Sequence, residues 1–381
     1  MTNLAKMLAA AVTAGCPLSA AAAPMVTFIE QLELYPYGPL SLNEHGDVVG
    51  AAYIWSGNKI DGFAQHVALQ PLDGEVNLLT EPDYQHHLAY TAINDEGTVL
   101  VTNVGAPQGL NAHLLHPDGS TTPMESLTSI ALNSAISIGN NNVVVGAILA
   151  PQGGIEAYRW TADEGYTLLG SMGGSTSSSM DINDHGTVVG VAELPHGSEH
   201  SSVAFRYTDS DGMISLGAPV GGRSTATAVN NHDVIVGTNS YAEDFIDRAF
   251  IYDDEHGMQS LANSPDIISF ASDINDSNWV VGQAGAYEYW ESFGFLWTPE
   301  EGMIDLNTLL PESFIGTIRT ATAINNDGVI IGLATDGNLA FTYRLHLGAI
   351  PTPGALWPMF GAGALLWSRR RRRRSRIDAL I

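Results

Sequence analysis

One string recurs seven times along this chain, and no other feature limits its fold so tightly. In full form it reads Ala-x-x-Ile-Asn-x-x-Gly-x-Val-Val-Gly. Copies run from Leu42-Asn43 to Gly50, Ile93-Asn94 to Val101, Ile182-Asn183 to Gly190 and Val229-Asn230 to Gly237. Two more run from Ile274-Asn275 to Gly282 and from Ile324-Asn325 to Gly332. A degenerate copy, Ile138-Gly139 to Gly146, keeps the register with Gly139 in place of Asn. The anchors 43, 94, 139, 183, 230, 275 and 325 are separated by steps of 51, 45, 44, 47, 45 and 50.

A second string follows most anchors: Ala-Phe-x-aromatic, then a Gly, then a Leu. Ala157-Tyr158-Arg159-Trp160 leads to Gly165 and Leu169, and Ala204-Phe205-Arg206-Tyr207 leads to Gly212 and Leu216. Ala249-Phe250-Ile251-Tyr252 and Gly294-Phe295-Leu296-Trp297 behave alike. Each repeat thus holds four short apolar runs between turn signals. In the fourth they are 178–183, 187–192, 203–207 and 213–216. Asn-Asp-x-Gly between the first two is turn chemistry, since Asn and Asp cap locally and Gly accepts φ > 0. Val-Val-Gly suits a strand buried on both faces. Four strands in roughly 40–50 residues is the arithmetic of a propeller blade. A β-helix coil needs a shorter period, and an α-solenoid needs 3.6-residue periodicity, which is not visible.

The seventh repeat has runs at 320–325, 329–333 and 340–345 but no fourth. A spare β-like run stands ahead of the first repeat, Val26-Thr27-Phe28-Ile29-Glu30-Gln31-Leu32. Placed as the missing outer strand, it closes the ring and leaves no blade with an open edge. The sequence therefore predicts an all-β chain: a seven-bladed β-propeller of four-stranded antiparallel blades over 24–346, closed by an N-terminal strand.

The two ends read as addresses. Lys6, the apolar run 7–14 and the string Leu18-Ser19-Ala20-Ala21-Ala22-Ala23 form a signal peptide over 1–23. Thr13-Ala14-Gly15-Cys16 also brings a lipidation site to mind, although Thr13 stands where a large aliphatic residue is usual. Over 347–381, Pro351-Thr352-Pro353 precedes the apolar segment 354–367, which contains Trp357. Arg369, Arg370, Arg371 and three further arginines follow it. Counted from Leu347, the apolar stretch approaches the ~20 residues of a spanning helix. Arginines at its end should stay cytoplasmic, with the repeats on the far side. Without both ends the body carries seven basic residues against 40 acidic ones, a net charge of −33. That charge argues against a nucleic-acid partner.

Pro-x-Pro, a short apolar helix and an Arg cluster resemble the PEP-CTERM sorting tail. The resemblance implies handling by an exosortase-type enzyme in bacteria that make exopolysaccharide. It rests on Pro351, Pro353, Trp357, Arg369, Arg370 and Arg371, and departs from the family in Thr352 and in the extra residues 375–381. A plain C-terminal membrane anchor is the other reading. The repeat strings resemble the HAF family of probable extracellular repeat proteins across about 26–346, although the family's His before Ala-Phe is here Glu156, Val203 or Arg248. The family carries no established activity.

Candidate chemistries compete with blander readings. The loops at Asn94-Asp95-Glu96, Asp181 to Asp184, Asp273 to Asp276 and Asn325-Asn326-Asp327 offer oxygen ligands for calcium. They equally read as hairpin turns repeated with the blade, and no cofactor is expected. His196 and His200 are four apart with Glu199 between them, a spacing that shares a face only on a helix, and they follow Pro195 in a loop; His86-His87 are adjacent. Ser171 to Ser179 lacks a nucleophile elbow. Trp160, Tyr207, Tyr252, Trp297 and Tyr343 recur at one repeat position and read as blade core. Trp279, Tyr287, Tyr289 and Trp290 break the pattern, and the last three are candidates for stacking on a sugar ring.

The expected protein is exported to the cell surface or beyond, with a single-pass membrane segment in its precursor. It is a binding or adhesion module for polysaccharide or a surface protein, and not an enzyme. A secreted propeller lyase or glycosidase and a purely structural surface protein are the alternatives.

Overall fold

The computed structural model describes residues 25–34, 40–55, 63–80, 87–106, 109–125, 133–244, 246–262, 264, 266–286 and 292–348. The expected signal peptide over 1–23, the expected tail from Pro351, Cys16 and His86 lie outside these, as do Tyr287, Tyr289 and Trp290. No helix among the described residues is long and apolar enough to cross a membrane.

The chain forms seven four-stranded antiparallel sheets. Blades 1 to 6 span 40–78, 87–124, 133–170, 177–217, 223–260 and 268–305, each in sequence order from its inner strand outward. Blade 7 takes its first three strands from Thr317–Ile324, Val329–Thr335 and Ala340–Gly348, and its outer strand from Met25–Gln31. The expected closure is therefore present. In blade 4 the strands are Ser177–Ile182, Val188–Glu193, Ser202–Thr208 and Gly212–Gly217, within two residues of the runs read from sequence.

The repeat string explains the blade. The first two Val side chains bury on opposite faces of the second strand, so each belongs to a different inter-blade core. Val188 packs with Val145 and Ala157 of blade 3, and Val189 with Ile235 and Phe250 of blade 5. The Gly that ends the string sits directly opposite the Phe of the third strand, as in Gly190–Phe205 and Gly237–Phe250. A Cβ at Gly237 would meet the Phe250 ring at 2.7 Å and the Thr225 carbonyl at 2.0 Å, so only glycine fits under the ring. Tyr343 pairs with Gly332 and belongs to this Phe position, not to the aromatic position two residues on; Leu345 fills that place. The sequence register slips there because both positions admit an aromatic. Trp279 also moves: it follows the first turn of blade 6 and packs into the core shared with blade 7.

Blades are also stitched through buried serines. Ser177, Ser224 and Ser269 each accept from the third-strand N–H of the preceding blade, at Ala157 (2.9 Å), Ala204 (2.8 Å) and Ala249 (3.0 Å). Ser177 and Ser224 pass their own protons to the carbonyls of Gly170 and Gly217.

Strand direction gives the ring two unlike faces. First-to-second and third-to-fourth turns lie on one, the turn face. Second-to-third loops and blade-to-blade connections lie on the other, the loop face. The outer strand of blade 7 runs against its neighbour, with Glu30 beside Arg344 and Leu32 bonded to Thr342. Val26 and Leu347, the ends of the propeller, therefore both lie on the turn-face side.

Candidate functional site

The inner strands of neighbouring blades adjoin around the axis. At the turn-face end of each stands the repeat asparagine, and the structure reveals why it recurs. Its Oδ1 accepts from the backbone N–H four residues on, closing its own turn, as in Asn230 to Val234 (3.0 Å). Its Nδ2 reaches the next blade and donates to the carbonyl of the asparagine there. Asn43 bonds Asn94, Asn94 bonds Gly139, Asn183 bonds Asn230, Asn230 bonds Asn275 and Asn275 bonds Asn325. Asn325 returns to Asn43 at 3.2 Å, across 282 residues of sequence. A head-to-tail ring of carboxamides thus binds the blades, with one joint missing where Gly139 has no side chain.

The residue three after each anchor sits at positive φ. Glycine holds it in four blades, whereas Asn142, Asp233 and Asn278 hold it in the others, at φ 56° to 58°. L-residues are uncommon there, with Asn and Asp the most tolerant. Each of the three accepts a second hydrogen bond from the incoming amide: Asn94 to Asn142 (2.9 Å), Asn183 to Asp233 (2.9 Å) and Asn230 to Asn278 (2.8 Å).

A second ring lies just outside the first, built from the residue after each anchor. Glu44, Asp95, Asn140, Asp184, Asn231, Asp276 and Asn326 form a collar at the turn-face mouth of the channel. All but Asp184 accept from the backbone N–H of their predecessor, from Glu44 to Asp95 (2.8 Å) round to Asn326 to Glu44 (2.8 Å). Amides alternate with acids over most of it, so Asn140 bridges Asp95 and Asp184, and Asn231 bridges Asp184 and Asp276. Glu44 and Asp95 alone stand side by side without an intervening amide. Burial, with the charges of Asp95, Asp276 and Asp327, holds the Glu44 carboxyl above its usual range despite the N–H of Asn326.

Within the channel wall, Ser41 of blade 1 accepts from Ile93 N–H of blade 2 (3.2 Å), and carboxylates take that place in blades 4 and 6. Asp181 accepts from Val229 N–H of blade 5 (3.0 Å) and from the Ser137 hydroxyl of blade 3 (2.9 Å). Asp273 accepts from Ile324 N–H of blade 7 (2.8 Å). Burial pushes Asp181 up to about 6. Burial and the fields of Asp181 and Glu44 push Asp273 up to about 8. A carboxyl that keeps its proton near neutrality can give as well as accept one.

We expect the ring to matter more than the collar. Asn230→Ala removes both inter-blade bonds of its amide, to Asn275 O and Asn278 Oδ1, and leaves the buried Val234 N–H without its acceptor, which costs about 2–3 kcal/mol, so Tm should fall by roughly 5 °C. The more exposed Asn231→Ala should cost under about 1 kcal/mol. Thermal unfolding of both variants checks this, and equal small losses would count against the ring.

The turns are foreseeable from sequence, but their partners are not. The loops that offer oxygens for calcium spend them on neighbouring blades, and no group of three His, Cys, Asp or Glu among the described residues is placed to hold a metal ion. His196 and His200 lie in the second-to-third loop of blade 4. The loop that contains Tyr287, Tyr289 and Trp290 joins Gly285 to Phe293, which puts both its ends on the loop face.

No protein-family pattern and no curated protein matches the sequence. Among solved structures, the chain resembles virginiamycin B lyase from Staphylococcus aureus, with 12% identity, a TM-score of 0.54, and 84% of this chain and 99% of that one covered. It also resembles the β-propeller domain of the trilobed protease from Pyrococcus furiosus, with 9% identity, a TM-score of 0.58, and 82% and 95% covered. A streptogramin B lyase is similar at 12% identity and a TM-score of 0.53, with 87% and 100% covered. At these identities the likeness is one of fold.

Proposed function

We propose that this chain is an exported display module, a rigid ring that offers its loop face to a polysaccharide or surface protein. The observation that carries this reading is the difference between the faces. Both ends of the propeller, Val26 and Leu347, lie on the turn-face side, together with the collar and the acidic third-to-fourth turns such as Asp209-Ser210-Asp211 and Asp253-Asp254-Glu255. Arg159 and Arg206 on that side are paired with Asp209 and Asp254. The loop face carries the most exposed large apolar side chains, Val220, Ile315 and Leu339. Apolar tips on a rigid scaffold are a usual form of binding surface. An anchor at either terminus would hold the turn face and leave the loops free. The signal peptide and the sorting tail with Pro351, Pro353, Trp357 and its arginines supply that anchor in this reading, with an exosortase-type enzyme as processing partner.

A second reading, a propeller lyase or glycosidase, is favoured by the channel carboxyl of Asp273, which holds its proton at neutrality while Asp181 has largely lost its own. One experiment separates them. Residues 25–348, which contain every ring-closing contact described above, are incubated with exopolysaccharide from the source organism, with calcium and then with chelator. Saturable binding at constant polymer length is expected. Shortened polymer would replace display by catalysis. No binding in either condition would leave a structural role.

A further inference from the structure

Both rings fail at the same joint. Between blades 3 and 4 Gly139 offers no amide to the Asn183 carbonyl, and Asn140 N–H makes no collar bond to Asp184 among the described residues. The residue that would accept the second amide hydrogen is Gly186, which has no side chain. A notch opens there, lined by Gly139, Asn140, Val143, Ile182, Asn183 and Asp184.

We propose that this notch is a binding site for a primary ammonium group. At six joints the same place is filled by an N–H donor, the asparagine carboxamide. The empty joint therefore presents a carbonyl, Asn183 O, that accepts from Gly186 N–H of its own turn but lacks the second donor its counterparts receive, in a position shaped for a nitrogen that carries hydrogens. The wall supplies a carboxylate, Asp184, and Asp95 lies one amide further on through Asn140. The Arg on this side of blade 3, Arg159, is already paired with Asp209. The field therefore favours a charged donor over a neutral one. Space is limited to one nitrogen-sized group, which suits an ammonium and excludes the planar fork of a guanidinium. The body's net charge of −33 repels acidic glycans and attracts amine-bearing ones. The carrier we infer is accordingly a glycan with free amino sugars. The notch lies on the turn face, opposite the apolar loops, so it stands or falls separately from the display reading.

Gly139→Asn is a clean test, because it fills the notch with the side chain used at the other joints and leaves the charge unchanged. Position 139 is not at positive φ, and a Cβ there would stand 3.5 Å from Ile182 Cγ2, an ordinary contact. The variant should melt no lower than wild type. Residues 25–348 of both are titrated with methylammonium, with a glucosamine tetramer and with its N-acetylated counterpart, read by the Asn140 and Asp184 amide resonances and by calorimetry. We expect both amines to perturb those amides, the N-acetylated tetramer to leave them unmoved, and the glucosamine tetramer to bind Gly139→Asn at least tenfold more weakly. Equal binding to both proteins would overturn the site, since amines would then be spread over the acidic face. So would shifts as large with methanol as with methylammonium, which would make the notch a water site. A lysine tetrapeptide that binds where the glucosamine tetramer does not would overturn the glycan carrier.

Discussion

Replacing Arg344 by methionine is expected to lower Tm by roughly 6–10 °C, more than any other single change away from the apolar core. Arg344 is 1% exposed and stands where the first and last parts of the chain meet. Its Nε and Nη2 donate to Glu30 in the outer strand of blade 7. Its guanidinium also donates to the carbonyls of Gly46 (2.7 Å), Pro71 (3.1 Å) and Leu72 (2.9 Å) in the turns of blade 1. One side chain thus ties closing strand, last blade and first blade. Methionine keeps the volume but leaves Glu30 charged without its partner and those carbonyls without this donor. Breaking a buried pair in this one-sided way costs about 3–5 kcal/mol, and a chain of this size loses roughly 2 °C per kcal/mol. Glu30→Gln retains an acceptor and should cost about 1 kcal/mol. Hydrogen exchange should show the amides of Met25–Gln31 losing protection first in Arg344→Met. A Tm within 1 °C of wild type would mean that strand pairing alone closes the ring.

The second large effect is a stability that declines as pH rises through neutrality. Asp273 has its carboxyl raised from 3.8 to about 8 in the folded protein, by burial first and by the charges of Asp181 and Glu44 after it. A raised acid favours the protonated folded state. Its contribution is complete below about 3.8 and is lost as pH climbs through about 8. Asp181 does the same through about 6. Asp118, Asp253 and Asp336 are held below the usual range and titrate under this window. Glu44, raised by burial, adds to the decline, whereas His113 and His346, lowered by burial, oppose it, since the unfolded chain protonates them more readily. His256, raised by Asp253, is fully exposed and adds little. A tenfold change in proton affinity between folded and unfolded chains corresponds to about 1.4 kcal/mol. With partial hydration of the channel reducing the sum, we expect ~3 kcal/mol between pH 4 and 8. That is roughly 6 °C in Tm. Asp273→Asn retains an acceptor for Ile324 N–H and should remove more than half of the slope. Melting curves at pH 5, 7 and 9 decide it, and a variant with the wild-type slope would acquit Asp273.

Much of the fold is legible because a blade is a local object. Strand alternation, Asn-x-x-Gly turns and the Gly opposite Phe operate within about 45 residues, and repetition multiplies the signal. The seventh copy's missing strand and the spare run at Val26 to Leu32 even reveal the closure. Legibility fails where two patterns overlap. Tyr343 reads two residues out of register because Phe and aromatic positions share a face. Trp279 looks like a loop residue because its packing partners lie in the next blade.

The site is far less legible. The sequence marks Asn43, Asn94, Asn183, Asn230, Asn275 and Asn325 as turn formers and Gly139 as a worn copy. Nothing in it shows that each amide reaches the next blade's carbonyl, or that Gly139 is therefore a gap in a ring. Periodicity determined what each blade is. Only the radial assembly decided what the blades do to one another, because a hydrogen bond between residues 45 to 51 positions apart depends on ring geometry and leaves no local pattern. Arg344 and Glu30, 314 residues apart, meet for that reason alone. Asp181 and Asp273 look like any other acids in a chain of 41 until closure brings them around one axis and shields both from bulk water.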